Sequence, residues 1–329
     1  MTSSSKTPSD WRAFLRDSNN KTELFNYLAD KISQMPSTNV IIVTNGEDAV
    51  SNHPMDTSGI APCSHEEADT RMFVHARQAV EEGCQNVIVK ANDTDVLVIA
   101  ISVLPTLQGI GLQHLWLAFG QGRSLRWIPV HELLPSIGQQ KSSGLLFFHA
   151  FTGCDVVSAF RGRGKKTAWQ TWGVCDEVSA VFNKLSQYPL SVQDIDMKVL
   201  EQFVVMMYDR SSTADGVDSA RLEMFARKQR PYEAIPPTRA ALLQHVKRAS
   251  YQAGCVWGQT LLRQPESQNP ADWGWIRNGD QWRILWSDLP PIAESCKQLT
   301  KCGCQSECRG RCKCYRFGLD CTAMCSCRC

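Results

Sequence analysis

The last 28 residues of the chain contain nine cysteines, and this feature limits the possible folds more than any other. A segment of this length has too few apolar residues to fold around a hydrophobic core, so disulfides or bound metal must stabilise it. The chain begins MTSSSKTPSDW and shows no apolar signal segment, so we expect an intracellular protein that is not secreted. Reducing compartments favour metal over disulfides, which stay open as the alternative.

The spacing of these cysteines indicates zinc. C-x-C pairs recur along the tail, and the two thiolates of such a pair can bind one ion or neighbouring ions more easily than they can form a disulfide with each other. Zn²⁺ takes four such ligands in a tetrahedron. The predicted ligands are Cys302, Cys304, Cys308, Cys312, Cys314, Cys321, Cys325, Cys327 and Cys329.

The cysteine tail resembles the tesmin-type CXC domain, a cysteine-rich domain organised by a zinc cluster. This resemblance implies that the tail binds DNA. Residues 297–329 carry seven Lys/Arg and two acidic residues, a balance that favours a polyanionic partner. The predicted DNA contacts in the tail are Arg309, Arg311, Lys313 and Tyr315. A zinc module that binds another protein is the alternative.

The remainder of the chain has the composition of a folded α/β protein. Hydrophobic residues make up 43% and charged residues 21%, which is enough to bury a core. No apolar run approaches the roughly 18 residues that span a bilayer, so we expect no membrane partner. Short apolar runs alternate with helical patterns, which predicts a parallel or mostly parallel sheet. The predicted strands are residues 40–43, 87–89, 115–119 and 127–130.

Helical periodicity and composition divide the chain into five predicted segments. Amphipathic or apolar helices are predicted at 64–82, 144–152, 166–187, 196–208 and 236–251, and a long loop at 44–63. The predicted segments are an N-terminal helical segment (1–39), an α/β domain (40–185), a helical extension (186–252), a Trp-rich irregular connector (253–300) and the zinc domain (301–329).

Three short segments place acidic residues at the ends of predicted elements. They contribute Glu67, Asp69, Asp93, Asp95 and Asp155. Ligands bind at the carboxyl ends of strands in open α/β sheets, and clustered carboxylates repel one another unless a cation neutralises them. The cluster therefore predicts a Mg²⁺ or Mn²⁺ site. Each piece also has a structural alternative: a capping box of Ser64 with Glu67, a turn at Asp93, and an N-cap at Asp155.

A basic, glycine-containing turn follows Asp155. Two glycines and four basic residues occupy positions 161–166, and a helix is predicted to begin near Lys166. Backbone amides at a glycine turn and at a helix N-terminus bind anions, and the basic side chains add charge. The predicted phosphate contacts are Arg161, Gly162, Gly164, Lys165 and Lys166. A solvated basic loop is the alternative.

In their order along the chain, these segments resemble the flap endonuclease (XPG-type, PIN-like) nucleases. The matching motifs are Glu67-Ala-Asp69, Asp93-Thr-Asp95, Gly153-Cys-Asp155 and Arg161-Gly-Arg-Gly-Lys-Lys166, within residues 40–185. The resemblance implies a PIN-like, mostly parallel sheet with helices on both faces, and a helix–two-turn–helix element that grips nucleic acid. It also implies that the five acids hold two divalent metals, that DNA or RNA is the partner, and that the protein is nuclear.

One departure from that family leaves two interpretations open. The family begins with a strand that ends in an essential aspartate, and nothing in residues 1–60 has this pattern. Residues 40–43 match instead the strand before the Glu-Ala-Asp helix. Either the chain is a metal-dependent, structure-specific nuclease that is N-terminally incomplete in this sequence, or it is a non-catalytic DNA-binding or scaffold protein, derived from a mobile element, that keeps the fold.

Overall fold

A computed structural model describes residues 8–188, 190–226 and 234–289, together with Cys304, Cys314, Cys321 and Cys325. The chain divides into two compact units, Met1–Ile284 and Leu285–Cys329. The first unit is mixed α/β, and it contains the predicted segments 1–39, 40–185 and 186–252. The boundaries between those segments stay predictions.

The first unit opens with two helices and a hairpin. Helices α1 (Trp11–Arg16) and α2 (Ser18–Ser33) begin where aspartate side chains accept hydrogen bonds from their first amides. Strands β1 (Ile42–Asn45) and β2 (Asp48–Ser51) then pair antiparallel around a tight turn in which Gly46 has φ +62°. The predicted strand at 40–43 is therefore present at Ile42–Asn45, but it is only half-buried, and β2 interrupts the predicted loop at 44–63. The Asn45-Gly46 turn reverses the chain, so that β1 pairs with β2, the next segment of the sequence.

In the part of the chain that the structure describes, the central sheet has three strands. Helix α3 (Ala68–Glu81) leads to β3 (Asn86–Ala91), and helix α4 (Thr94–Gly109) leads to β4 (His114–Phe119). Strands β3 and β4 are parallel, whereas β5 (Arg126–Pro129) is antiparallel to β4. The predicted mostly parallel sheet is thus present in the described residues only as one parallel pair. Residues 120–125 join β4 to β5 and are too few for the crossover that a parallel pairing needs.

Helices dominate the remainder of the first unit. They are α5 (Val130–Ile137), α6 (Gln139–Ser143), α7 (Leu145–Phe151), α8 (Lys165–Trp172), α9 (Val178–Leu185), α10 (Asp194–Tyr208), α11 (Val217–Ala226) and α12 (Arg239–Ser250), which continues into a π-helical segment, Tyr251–Trp257. The predicted helix at 166–187 is two helices, α8 and α9, which separate after Gly173. The predicted irregular connector contains a hairpin of β6 (Trp275–Asn278) and β7 (Gln281–Ile284).

Helix α7 lies at the centre of the core. All seven of its residues are buried, as expected for a short helix that is apolar on nearly every side. Phe147 and Phe151 stack with centroids 5.3 Å apart, and both pack against Phe182 of α9. The end of α7 is therefore held rigidly, and the loop that follows begins from a fixed point. No helix within the described ranges combines the length and apolar character that a membrane span requires.

The start of α3 is tied to the β1–β2 hairpin by one buried arginine. Arg71 is 7% exposed, and its guanidinium donates to the carbonyl oxygens of Gly46, Glu47 (2.9 Å) and Asp48 (2.8 Å). Each hydrogen bond from a charged donor contributes about 1.5–3 kcal/mol. This contact positions the helix turn that carries Asp69.

Replacing Arg71 with Met should lower the free energy of unfolding by about 2–3 kcal/mol, because the hairpin carbonyls lose their charged donor. Urea unfolding followed by far-UV circular dichroism measures the change. Arg77→Met on the same helix is the matched control, since Arg77 has an exposed ion pair with Glu81 and one long hydrogen bond, 3.3 Å, to the Leu261 carbonyl, and its loss should change stability by less than about 1 kcal/mol. Equal losses in the two variants would contradict the role of Arg71.

Candidate metal and nucleic-acid site

The three acidic segments meet in space. Glu67 immediately precedes α3, and Asp69 lies in its first turn. Asp93 precedes α4 directly after β3, and Asp95 lies in the first turn of α4. Asp155 follows the buried helix α7 and is exposed. The carboxylates of Asp93, Asp95 and Asp155 lie within electrostatic range of Asp69, and those of Asp69, Asp95 and Asp155 lie within range of Glu67.

The pKa values of Glu67 and Asp69 are both raised. Partial burial is the largest cause for Glu67, followed by repulsion from Asp69, Asp95, Glu66 and Asp155. Partial burial also leads for Asp69, followed by repulsion from Asp93, Asp95 and Asp155. Without a cation, the folded protein therefore disfavours the ionised form of both groups. Clustered carboxylates repel one another unless a cation neutralises them, and the Mg²⁺ or Mn²⁺ site at this cluster stays a prediction.

Helix capping explains some of these acids but not others. The predicted capping box of Ser64 with Glu67 is absent, because Glu67 itself occupies the N-cap position and its side chain makes no capping bond. The Ser64 N–H donates instead to the carbonyl of Arg263 at 3.0 Å. The turn interpretation of Asp93 is wrong, because Asp93 is the N-cap of α4: its Oδ1 accepts from the Asp95 N–H at 2.9 Å. Glu67 is thus left without a capping role.

A histidine that the sequence analysis missed contacts the cluster. His149 Nε2 lies 2.7 Å from Asp95 Oδ1, and the His149 side chain is 7% exposed. Its ring also packs against Trp257 at a centroid distance of 5.8 Å. The only signal in the sequence was one polar residue inside the apolar stretch of α7. His149 fixes the orientation of Asp95 from within the core.

The five carboxylates lie near one another, but their oxygen atoms do not surround a single point. Among the described residues, the only group of three or more whose ligand atoms all lie within 4.8 Å of one another is formed by cysteines. Mg²⁺ usually keeps several of its water ligands and is bound by only one or two carboxylates. An open cluster is therefore more compatible with Mg²⁺ than with an ion that must lose all its water. The described acidic side chains do not close around one point, so a Mg²⁺ or Mn²⁺ ion here would need water ligands, and the site stays a prediction.

The glycine turn beside the cluster has the predicted backbone features. Gly153 has φ +111°, and a Cβ there would lie 2.7 Å from the Ala159 Cβ, so only glycine fits at this position. Gly162 has φ +70° in the turn that the Arg163 N–H closes on the Phe160 carbonyl at 3.0 Å. Gly164 is the N-cap of α8 and has no side chain to cap it, which leaves the first amides of the helix to other acceptors.

The basic residues of this turn divide into two groups. Lys165 points inward and donates to the carbonyls of His149 (2.7 Å) and Gly153 (2.5 Å), and burial lowers its pKa to about 8. Arg163 stacks on Tyr208 at 5.0 Å. Arg161 and Lys166 are exposed. The structure therefore uses Lys165, a predicted phosphate contact, to cap the end of α7.

In the second unit, three cysteines come together. Cys314, Cys321 and Cys325 have sulfur atoms within 4.8 Å of one another, and the Sγ atoms of Cys314 and Cys325 are 3.8 Å apart. Thiolates on a tetrahedral zinc with Zn–S bonds of about 2.3 Å lie about 3.8 Å apart, whereas a disulfide needs about 2.05 Å. This trio therefore fits a metal ion.

Of the other residues predicted in the tail, one lies among those that the structure describes. Cys304 is described and half-buried. The following lie outside the described residues: Cys302, Cys308, Cys312, Cys327, Cys329, Arg309, Arg311, Lys313 and Tyr315. Their roles stay predictions.

Comparison with known proteins gives no further constraint. No protein-family model, no curated protein and no solved structure matches this chain.

Proposed function

We propose that the chain is a divalent-metal-dependent nuclease of the PIN-like, flap endonuclease class, with a zinc-binding tail that holds nucleic acid. The observation that carries this proposal is the meeting of five acidic residues from three distant segments around Glu67 and Asp69. Carboxylates that are held close together repel one another, and a bound cation would relieve this repulsion. A nuclear location belongs to the same proposal.

The position of the cluster in the fold supports a hydrolytic role. Asp93 and Asp95 follow the carboxyl end of β3, whose parallel partner is β4, and ligands of α/β sheets bind at this end. When bound, Mg²⁺ or Mn²⁺ would activate a water and neutralise a phosphodiester oxygen. The chain's own residues hold the site in shape: His149 orients Asp95, and Lys165 fixes the loop that carries Asp155.

The glycine turn supports a grip on a phosphate backbone next to the cluster. The amides that begin α8 after Gly164 would bind a phosphate, and the exposed Arg161 and Lys166 would add positive charge. In this proposal Lys165 acts through the structure of the loop and not through contact with phosphate. DNA is the preferred partner and RNA the alternative.

A second candidate is nucleic-acid binding without cleavage. Two of the five acids have structural partners, since Asp93 caps α4 and Asp95 is bonded to His149. A domain that kept only these contacts would retain its shape and its basic turn. It would then bind nucleic acid in a salt-dependent manner and cut nothing.

Cleavage of a labelled flap or hairpin DNA in Mg²⁺ or Mn²⁺ separates these candidates. We expect the wild type to cleave and EDTA to stop it. Asp155→Asn should slow cleavage by at least about 100-fold, because losing one carboxylate weakens the hold on the ion. Asp280→Asn is the matched control, since Asp280 is fully exposed on the β6–β7 hairpin, and it should cleave like the wild type.

Three outcomes distinguish the candidates. Cleavage lost only in Asp155→Asn supports the nuclease and its site together. Salt-dependent binding without cleavage by any variant supports the non-catalytic candidate. Cleavage that persists in Asp155→Asn rejects the proposed site.

A further inference from the structure

The loop that carries Asp155 leaves the end of α7, and Lys165 holds its start. The Lys165 ammonium donates to the carbonyl of Gly153. Further along, the N–H of Cys154 donates to the Val157 carbonyl at 3.0 Å, and the Val157 N–H donates back at 3.3 Å. These bonds close a turn around Asp155, so the place of its carboxylate also depends on what holds the loop beyond Val157.

A buried histidine from a remote helix holds the far end of this loop. His245 lies on α12 and is 7% exposed. Its Nε2 lies 2.8 Å from the carbonyl oxygen of Phe151, the last residue of α7, and its Nδ1 lies 3.1 Å from the Ser158 hydroxyl. One imidazole ring therefore joins the end of α7 to the end of the loop.

The chemistry of the two partners fixes the direction of both hydrogen bonds. A carbonyl oxygen can only accept, so Nε2 of His245 carries the proton and donates to Phe151. Nδ1 then has the lone pair, and the Ser158 hydroxyl donates to it. Burial is the largest cause that lowers the pKa of His245 to about 4, so the ring stays neutral near pH 7 and Nδ1 stays an acceptor.

Packing holds the histidine ring in this orientation. The rings of Phe151 and Phe160 lie against it, with centroid distances of 5.3 Å and 4.9 Å. All three side chains are buried, and close-packed interiors hold their side chains in defined rotamers. The Ser158 hydroxyl therefore meets an acceptor whose position is fixed by the core.

We propose that Ser158 is a positioning residue for the acidic cluster: its hydrogen bond to His245 holds the loop in the conformation that brings Asp155 beside the other acids. This inference rests on the proposed metal site. The Asp155 carboxylate lies within electrostatic range of both Glu67 and Asp69. Residues that orient metal ligands typically change metal affinity or activity by 10–100-fold when they are replaced.

Titration of the full chain with Mn²⁺, with the free ion measured by electron paramagnetic resonance, tests this inference without any cleavage assay. Ser158→Ala removes only the hydroxyl, and it should weaken Mn²⁺ binding by about 10-fold. Ser158→Thr keeps the hydroxyl and should bind like the wild type. Ser136→Ala is the matched control, because the Ser136 hydroxyl donates to the Leu133 carbonyl on the exposed side of α5, and it should also bind like the wild type.

A double variant separates positioning of Asp155 from a general effect on the fold. If Ser158 acts through Asp155, adding Ser158→Ala to Asp155→Asn should weaken Mn²⁺ binding by less than about twofold, because the carboxylate that the loop positions is already lost. A general loss of structure would instead weaken binding by the same factor in both backgrounds. Circular dichroism of each variant in EDTA establishes that it is folded.

The contrary outcomes distinguish failure of this inference from failure of the proposed function. A wild type that binds no Mn²⁺ overturns the metal site and the role of Ser158 with it. Mn²⁺ binding that is equal in the wild type and Ser158→Ala overturns the role of Ser158 alone. An equal loss from Ser158→Ala with and without Asp155→Asn overturns it as well, since the effect then does not pass through Asp155.

Discussion

Removal of zinc should unfold the cysteine tail and leave residues 1–284 folded. Structural zinc in comparably small domains contributes on the order of 10–16 kcal/mol, far more than a core of this size can supply. In the chelated protein, limited proteolysis with mass analysis should find cleavage throughout residues 285–329. Metal analysis should find zinc in the untreated protein and none after chelation.

Cys321→Ser should have nearly the same effect, because Cys321 is one of the three cysteines whose sulfur atoms come together. The matched control is Cys84→Ser, at an exposed cysteine of the first unit, and it should retain the full zinc content. Thiols that react only after a reductant is added, in denaturant and chelator, would establish disulfides and reject the zinc interpretation.

The second large effect should come from Asp69→Asn, which we expect to stabilise the metal-free protein and to remove its response to Mn²⁺. In EDTA at neutral pH the ionised carboxylates repel one another, and Asn keeps the shape of Asp69 while removing its charge. Excess Mn²⁺ should stabilise the wild type by about 2.7 kcal/mol when its concentration is 100 times the Kd. The variant should gain much less. Thermal unfolding with and without Mn²⁺ measures both effects.

The direction of the pH dependence follows from the raised pKa values of Asp69 and Glu67. A carboxyl whose pKa is higher in the folded than in the unfolded state contributes stability below its unfolded pKa, and this contribution is lost as the pH rises through the folded value. In EDTA, the advantage of Asp69→Asn over the wild type should therefore disappear below about pH 4. Asp280→Asn should match the wild type at every pH. Equal stabilisation of all three proteins by Mn²⁺ would reject the cluster as its site.

Local patterns predicted the elements of the central sheet well. The apolar runs at 87–89, 115–119 and 127–130 are the strands β3, β4 and β5, and the amphipathic pattern after residue 64 is α3. Hydrophobic periodicity depends on neighbouring residues, so a single sequence carries it. The hairpins β1–β2 and β6–β7 were missed. Their strands are only four residues long and contain no fully buried residue, so burial leaves a weak pattern in them.

The candidate site also has some features that the sequence predicted and others that it did not. Its five acids were identified from their places at the ends of elements, because a residue at the end of a strand or helix has a known position in the fold. The Asp95–His149 contact was not, since it joins residues 54 positions apart that only the packing of α4 against α7 brings together. The inward direction of Lys165 was missed for the same reason, because three acceptors at the end of α7 fold around it.

The sequence by itself determined which residues can carry chemistry: nine cysteines with metal-ligand spacing, five acids at the ends of elements, and a glycine turn among basic residues. Residue type and local spacing are enough for this, because donor atoms and helix ends are local properties. Only the tertiary structure decided which acids repel one another and which lysine points inward. These properties depend on distance and burial, and both arise when remote segments pack together.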